Sequence, residues 1–209
     1  MRFIYLHGFA SGPASKQATY FRERFRERGV HLEIPDLAAA DFERLTLTRQ
    51  LAVIEEAAGN GPLVLLGSSM GGYLAALYAA RHAEVSRVVL LAPAFGFARR
   101  WPATLGEERL NEWRRSGWIP VYHYGDGRER RVSYDLLDDG LRYEDFPALT
   151  QPALIFHGRR DEVVPAAFAE EFAAGRPNVR LEILESDHEL VDQLPYMWRE
   201  TAVFLDLTL

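Results

Sequence analysis

The chain has 209 residues, of which 48% are hydrophobic, and its formal net charge is -6 at pH 7. This size and composition are typical of one globular domain, and the acidic balance disfavours nucleic-acid binding. Cysteine is absent and Lys16 is the only lysine, which excludes disulfides, thiol nucleophiles and most amine chemistry. No apolar run approaches about 18 residues and no leader pattern follows Met1, so we expect a cytoplasmic protein without a membrane span.

Short apolar runs alternate with helical segments, a pattern typical of a parallel sheet that is covered by helices on both faces. The runs predict strands over residues 2–6, 30–34, 62–66, 86–92, 152–157 and 179–184. Helices are predicted over about 15–28, 41–58, 70–81, 165–174 and 190–206, with N-caps at Ser15 and Asp41 and stops at Gly29 and Gly59. The predicted fold class is therefore a three-layer α/β fold, whose site lies at the carboxyl edge of the sheet.

The alternation stops between residues 97 and 146. This stretch is rich in Trp, Tyr and Arg, and it contains the turn-forming sequence Gly125-Asp126-Gly127. An insertion between two core strands at the carboxyl edge is typical of a cap over an active site. Its aromatic residues would form an apolar roof, although any one of them could simply fasten the insertion to the body.

A Gly-x-Ser-x-Gly sequence, Gly67 to Gly71, follows the apolar run 63–66 and precedes a helix-like stretch. A serine between a buried strand and a helix lies in a sharp turn, and the flanking glycines allow the neighbouring backbone to approach. The pattern predicts that Ser69 is a nucleophile, whereas a plain Gly/Ser connection is the alternative. An oxyanion hole would then use the backbone N–H groups of Met70 and Phe9, with Ala10 as the second choice to Phe9.

A serine nucleophile needs a general base and a group that orients the base. Among six histidines, His188 follows the last predicted strand and is the preferred base, whereas His7 and His157 are expected to brace loops. The remaining histidines, His31, His82 and His123, are expected to be structural or exposed. Asp161 is the preferred acid because the order serine, acid, histidine is that of α/β-hydrolases, and the competing carboxylates are Glu162, Asp187 and Asp192.

These motifs resemble the α/β-hydrolase superfamily over nearly the whole chain. The resemblance to YqiA-like bacterial esterases is carried by Tyr5-Leu6-His7-Gly8-Phe9 and by Gly67-Ser68-Ser69-Met70-Gly71-Gly72-Tyr73. The sequence is also similar to the mycophenolic acid acyl-glucuronide esterase group, through Ser133-Tyr134-Asp135, His157-Gly158, Asp161, Val164-Pro165 and Ser186-Asp187-His188. The resemblance implies a triad of Ser69, Asp161 and His188, ester or thioester hydrolysis without a cofactor or metal, and one domain over residues 1–209. Because the first strand begins at residue 2, we expect a reduced, mostly parallel sheet of six strands in the order 2-1-3-4-5-6.

The expected partner is a small-molecule ester with a short to medium acyl chain, and no signal indicates an oligomeric state. Phe9 and Met70 would contribute to an apolar pocket, and the predicted substrate-binding residues are Phe95, Phe97, Trp101 and Trp113. Arginines of the insertion could meet an anionic leaving group or form a solvated face: Arg99, Arg100, Arg114, Arg115, Arg128, Arg130 and Arg131. The alternative functions are an amide or carbon–carbon bond hydrolase and a non-catalytic binding protein. Metal-hydrolase spacings of histidine are absent from the sequence.

Overall fold

A computed structural model describes residues 1–207, so residues 208 and 209 of the predicted domain lie outside the described part. The main sheet has five parallel strands in the spatial order β1-β2-β3-β6-β7. The strands of this sheet are β1 (Arg2–Leu6), β2 (Leu63–Ser68), β3 (Val85–Leu91), β6 (Ala153–Gly158) and β7 (Val179–Leu184). An antiparallel pair forms the second, small sheet: β4 (Trp118–His123) and β5 (Arg128–Ser133).

The predicted second strand, residues 30–34, is not a strand in the structure. This segment pairs with β1 only at an isolated bridge between Glu33 and Ile4, where Glu33 N–H donates to Phe3 O and Tyr5 N–H donates to Glu33 O. Pro35 lacks the N–H that would continue the pairing at this edge of the sheet. The expectation of six strands is therefore wrong. The predicted spatial order holds for the five strands that form, and the bridged segment lies beside β1 as expected.

Eight α-helices flank the strands in the described part of the chain. They are α1 (Lys16–Glu27), α2 (Leu47–Ala58), α3 (Met70–Ala79), α4 (Phe97–Leu105), α5 (Glu107–Ser116), α6 (Asp135–Gly140), α7 (Ala167–Ala173) and α8 (Leu194–Phe204). Ser15 caps α1 as predicted, because its side chain accepts a hydrogen bond from Ala18 N–H.

Two predicted helices are shorter than expected because their first residues form 3-10 turns. Residues 41–58 divide into the 3-10 turn Phe42–Arg44 and α2. Asp41 makes no capping hydrogen bond, whereas the Thr46 side chain accepts one from Arg49 N–H and is the N-cap of α2. Similarly, the 3-10 turn Val191–Gln193 precedes α8, which carries a proline in its first turn.

The hydrophobic core lies on both faces of the main sheet. Helices α1 and α8 cover one face through residues such as Phe21, Phe25 and Met197, all completely buried. Helices α2, α3 and α7 and the insertion cover the other face, and every residue of α3 is buried. Strand β2 is buried along its whole length, so the turn that follows it begins from a fixed position in the interior of the sheet.

The insertion between β3 and β6 contains α4, α5, the β4–β5 hairpin and α6. Trp113 of α5 is completely buried, and its indole N–H donates to Val132 O at 3.0 Å. The carboxylate of Asp139 accepts hydrogen bonds from both the N–H and the hydroxyl of Thr48, at the start of α2. These contacts fix the insertion to the body of the protein. Within residues 1–207, every helix is too short or too polar to cross a bilayer.

Candidate active site

Ser69 lies in the turn between β2 and α3, with a backbone φ of 51° and ψ of -117°. Positive φ is uncommon for a non-glycine residue, and such strain persists only where the surroundings fix the backbone. A Cβ added to Gly67 would lie 2.4 Å from Gly71 O, and one added to Gly71 would lie 2.1 Å from Leu6 O. The two glycines are therefore required by the close approach of β1, β2 and α3, and the turn that they permit presents the Ser69 hydroxyl at the carboxyl edge of the sheet.

The side chains of Ser69, His188 and Asp161 form a continuous hydrogen-bonded chain. His188 Nε2 lies 3.0 Å from Ser69 Oγ, and His188 Nδ1 lies 2.7 Å from Asp161 Oδ2. The three residues come from the turn after β2, the loop after β6 and the loop after β7, as expected for the carboxyl edge of a parallel sheet. The imidazole therefore bridges an alcohol and a carboxylate within normal hydrogen-bond distances.

Both carboxylate oxygens of Asp161 are occupied. Oδ1 accepts hydrogen bonds from Val163 N–H at 2.9 Å and Val164 N–H at 2.7 Å, and the side chain has no exposed surface. Burial by itself raises the pKa of Asp161, but hydrogen bonds from His157, His188 and Val164 N–H and the charge of His188 hold this pKa below its usual range. Asp161 is therefore an ionised carboxylate at neutral pH.

The other candidate carboxylates point elsewhere. Glu162 is exposed, Asp187 Oδ1 accepts hydrogen bonds from Glu189 N–H and Leu190 N–H, and Asp192 accepts one from the Ser186 hydroxyl. Among the described residues, Asp161 is the only carboxylate within salt-bridge distance of His188. Asp187 and Asp192 instead shape the loop that carries His188.

A contact that the sequence analysis missed also holds the His188 loop. Gln17 of α1 accepts a hydrogen bond from the Tyr5 hydroxyl and donates its amide N–H to Glu189 O at 2.6 Å. A Cβ on Gly158 would lie 2.3 Å from Asp187 O. The end of β6, which leads into the loop that carries Asp161, is therefore in direct backbone contact with the loop that carries His188. No sequence pattern indicates Gln17, because it lies 172 residues from Glu189.

The loop after β1 lies against Ser69. A Cβ added to Gly8 would be 3.4 Å from Ser69 Cβ, which brings the predicted oxyanion donor Phe9 close to the nucleophile. Within residues 1–207, the backbone N–H groups of Phe9, Ala10 and Met70 donate to no protein acceptor. Ala10 has a φ of 53°, and its carbonyl accepts a hydrogen bond from Tyr124 N–H in the turn of the β4–β5 hairpin.

Four of the other five histidines contact protein groups, and His31 is exposed. His7 Nε2 accepts a hydrogen bond from Leu37 N–H, and His157 is completely buried beside Asp161. His82 stacks on Tyr78, with ring centroids 3.7 Å apart, and His123 Nδ1 accepts a hydrogen bond from Asp126 N–H. Within the described part of the chain, no three His, Asp or Glu side chains are grouped so that they could hold a metal ion.

Of the four predicted substrate-binding residues, three are buried and one, Trp101, is half-buried. Phe95 and Trp113 are completely buried, and Phe95 stacks on Phe172 with ring centroids 4.1 Å apart. The expectation that these two side chains face a substrate is not met in this structure, because the insertion packs them into the core. Phe97 is also nearly buried, whereas Trp101 is half-buried and contacts the ring of Phe9 edge-on at 5.5 Å.

Most arginines of the insertion are engaged by protein groups. Three of them form ion pairs: Arg99 with Asp145 at 2.7 Å, Arg130 with Asp126 at 2.6 Å, and Arg131 with Glu43 at 2.9 Å. Arg128 lies 3.9 Å from Asp126. Arg114 donates a hydrogen bond to the Tyr134 hydroxyl. Arg115 is exposed. Arg100 donates to Phe95 O and Val163 O, and its burial lowers its pKa while the charge of Asp161 opposes that effect. These contacts favour a structural or solvated role for most of the seven arginines.

Comparison with known proteins supports the same fold. The chain is 30% identical to the AB hydrolase superfamily protein YisY from Bacillus subtilis, in a match that covers 54% of this chain and 54% of that protein. The chain thus spans about half the length of this curated relative.

Several solved structures match almost the whole chain, among them the following two. Alpha/beta hydrolase domain-containing protein 10 from mouse superposes with a TM-score of 0.82 at 19% identity, covering 98% of this chain and 89% of that one. Est1E from Butyrivibrio proteoclasticus, solved with ferulic acid bound, gives a TM-score of 0.78 at 21% identity, covering 98% and 88%. At these identities the likeness establishes the fold, and the predicted α/β-hydrolase architecture is confirmed.

The family is established over nearly the whole length of the sequence. The match runs from residue 2 to residue 205 and so includes Ser69, Asp161 and His188. The protein has the α/β-hydrolase fold, and the chain belongs to the Uncharacterised protein family (UPF0227).

Proposed function

We propose that this chain is a serine hydrolase that cleaves carboxylic esters, including thioesters, of short to medium acyl chains. The observation that carries this proposal is the hydrogen-bonded chain from Asp161 through His188 to Ser69, with distances of 2.7 and 3.0 Å. The strained turn at Ser69 supports it, because strain of this kind is typical of a nucleophile between a strand and a helix.

In the proposed reaction, Ser69 Oγ attacks the ester carbonyl while His188 Nε2 takes the hydroxyl proton. Asp161 accepts the hydrogen bond from His188 Nδ1 and stabilises the imidazolium that forms. The carbonyl oxygen becomes an oxyanion that the N–H groups of Phe9 and Met70 would bind, an interaction worth about 3 kcal/mol for each donor. His188 then gives its proton to the leaving alcohol or thiol, which leaves the acyl group on Ser69.

The second half of the reaction repeats the first with water as the nucleophile. His188 Nε2 takes a proton from water, and the hydroxide attacks the acyl carbonyl through a second oxyanion in the same hole. The proton then returns to Ser69 Oγ as the acid is released. No cofactor is required, because each proton removed from a nucleophile is delivered to a leaving group.

We further propose that residues 97–146 form a cap of the same domain. The half-buried rings of Phe9 and Trp101, which meet at 5.5 Å beside the proposed oxyanion loop, would form the apolar wall of the acyl site. In an apolar site of this kind, one methylene of the acyl chain changes selectivity by about 1 to 3 kcal/mol. The acyl-chain preference is therefore expected to depend on Trp101.

Labelling with a fluorophosphonate probe, followed by mass spectrometry, tests the nucleophile. We expect stoichiometric labelling of the wild type, none of Ser69→Ala, and normal labelling of Ser68→Ala, the adjacent serine of the same motif. Hydrolysis of p-nitrophenyl esters of increasing chain length, an acyl-CoA and a ferulate ester then tests the substrate class, and the ferulate ester is included because Est1E is seen with ferulic acid bound. Labelling that persists in Ser69→Ala, or a labelled enzyme that cleaves amides but no ester, would contradict the proposal.

A further inference from the structure

His157 lies at the end of β6 and is completely buried beside the carboxylate of Asp161. Its Nε2 makes a hydrogen bond with Val164 O at 2.8 Å and also lies 3.1 Å from Asp161 Oδ2. Asp161 Oδ2 is the same oxygen that lies 2.7 Å from His188 Nδ1. Two histidines therefore converge on one carboxylate oxygen, one from the proposed catalytic chain and one from the core.

The surroundings of the ring fix the tautomer of His157. Both neighbours of Nε2 are oxygens that accept hydrogen bonds, so Nε2 carries the proton. Nδ1 is buried and has no hydrogen-bond partner among the described residues. A proton at Nδ1 would be an unsatisfied buried donor, whereas an unmatched lone pair is the less costly arrangement. His157 is therefore a neutral ring that donates from Nε2.

This N–H donates to Val164 O and also faces the carboxylate of Asp161. Val163 and Val164 N–H donate to Oδ1, His188 Nδ1 lies 2.7 Å from Oδ2, and His157 Nε2 lies 3.1 Å from the same oxygen. His157 belongs to β6, an interior strand between β3 and β7, so the sheet holds the ring that lies beside the carboxylate. Loss of its N–H would remove a positive dipole beside Oδ2 and would concentrate more negative charge on the oxygen that His188 faces.

We propose that His157 is a positioning residue for the reaction: its Nε2–H binds Val164 O in the loop that carries Asp161, lies beside the carboxylate, and thereby holds His188 in the tautomer that can accept the Ser69 proton. The inference rests on the proposed function. The other charged group that acts on Asp161 is Arg100 of α4, which donates to Val163 O in the acid loop. Arg100 is bonded to the backbone and leaves both carboxylate oxygens to the donors described above.

Two substitutions separate positioning from packing. His157→Met has a similar volume and no donor, whereas His157→Gln keeps an amide N–H that can reach Oδ2. For His157→Met we expect kcat to fall about tenfold with KM changed less than about twofold, because the N–H beside the carboxylate and its hydrogen bond to Val164 O are both lost. The acid-side midpoint of the kcat/KM profile should also move to higher pH by about half a unit, because a less neutralised carboxylate favours the imidazolium form of His188. His157→Gln should recover most of kcat and the wild-type profile.

Ring ¹⁵N NMR of the wild-type protein gives a readout that does not depend on activity. The expected spectrum shows His157, assigned by the loss of its signals in His157→Gln, with a protonated Nε2 and a bare Nδ1. A protonated Nδ1 would overturn the inference. It would also be overturned by a folded His157→Met protein with wild-type kcat and profile, or by equal losses of kcat and of Tm in both variants. If the wild type hydrolyses no ester or thioester, the proposed function fails, while the NMR result still decides the hydrogen bond.

Discussion

Two regions of the molecule are held in place in different ways. One is formed by the ends of β1, β2, β6 and β7, and the other is the insertion at residues 97–146. At the strand ends, backbone contacts fix the geometry: positions 67, 71 and 158 have no space for a Cβ. The insertion is held mainly by side-chain hydrogen bonds, ion pairs and aromatic contacts, such as Thr48 with Asp139 and Trp101 with Phe9. Contacts of the first kind tolerate almost no change, whereas those of the second kind are individually weak.

This difference matches the work that we propose for each region. Ser69, His188 and Asp161 all come from the strand ends, where a shift of about 1 Å in a reacting atom would be costly. The insertion contributes none of these three side chains, but its hairpin turn contacts the loop after β1 through the hydrogen bond from Tyr124 N–H to Ala10 O at 2.8 Å. We infer that the strand ends determine whether the reaction occurs and that the insertion tunes it.

The largest expected effect is that of Asp161→Asn. An amide in place of the carboxylate offers an N–H donor to His188 and favours the wrong ring tautomer, so kcat should fall by about 10⁴-fold. Steady-state hydrolysis of a short p-nitrophenyl ester measures this loss. The matched control is Glu162→Gln at the adjacent exposed carboxylate, which should keep wild-type kcat. A larger loss in Glu162→Gln than in Asp161→Asn would transfer the proposed acid role to Glu162.

A large effect on stability is expected for Gly71→Ala. The new Cβ would lie 2.1 Å from Leu6 O and 2.6 Å from His7 O, and these backbone atoms cannot move aside as a flexible side chain could. We expect the free energy of unfolding, measured by urea denaturation, to fall by more than about 3 kcal/mol. Gly12→Ala is the control, because no atom lies within 4 Å of its added Cβ, and its stability should stay within about 0.5 kcal/mol of the wild type. Equal stabilities for the two variants would refute the claim that close backbone contact fixes the strand ends.

The smallest expected effect concerns the contact between the insertion and the loop after β1, which carries the proposed oxyanion donor Phe9. Tyr124→Pro removes the N–H that donates to Ala10 O, and loosening of that loop should lower kcat by about tenfold with little change in KM. Tyr124→Ala keeps the backbone donor, and because the Tyr124 side chain is exposed its kcat should equal that of the wild type. Thermal unfolding of both variants checks that the hairpin remains folded. If Tyr124→Ala lost as much activity as Tyr124→Pro, the side chain and not the hydrogen bond would be the important group.

Local sequence signals account for much of the fold. The apolar runs predict strands 2–6 and 179–184 with the observed bounds, and Ser15 is the predicted cap of α1. The Gly67–Gly71 sequence predicts the turn that carries Ser69, because its glycine spacing has a direct steric meaning. The same local reasoning is wrong for residues 30–34 and for Asp41. In these two places the outcome depends on which backbone groups find partners, and an apolar run or a capping residue type does not specify those partners.

The candidate site depends on a different kind of information. The sequence indicates Ser69 and His188 by their motifs. It favours Asp161 as the acid by chain order alone and leaves three other carboxylates as competitors. Only the folded chain brings Asp161 to 2.7 Å from His188 and turns Asp187 and Asp192 toward their own loop.

Tertiary structure likewise decides three further contacts: His157 beside Asp161, Gln17 with Glu189, and Tyr124 with Ala10. The sequence alone therefore determined the elements and the reactive residue types, because propensity and steric fit act between neighbours along the chain. The partners of those residues were decided by packing, because loops far apart in the sequence meet only where five strands end at the same edge.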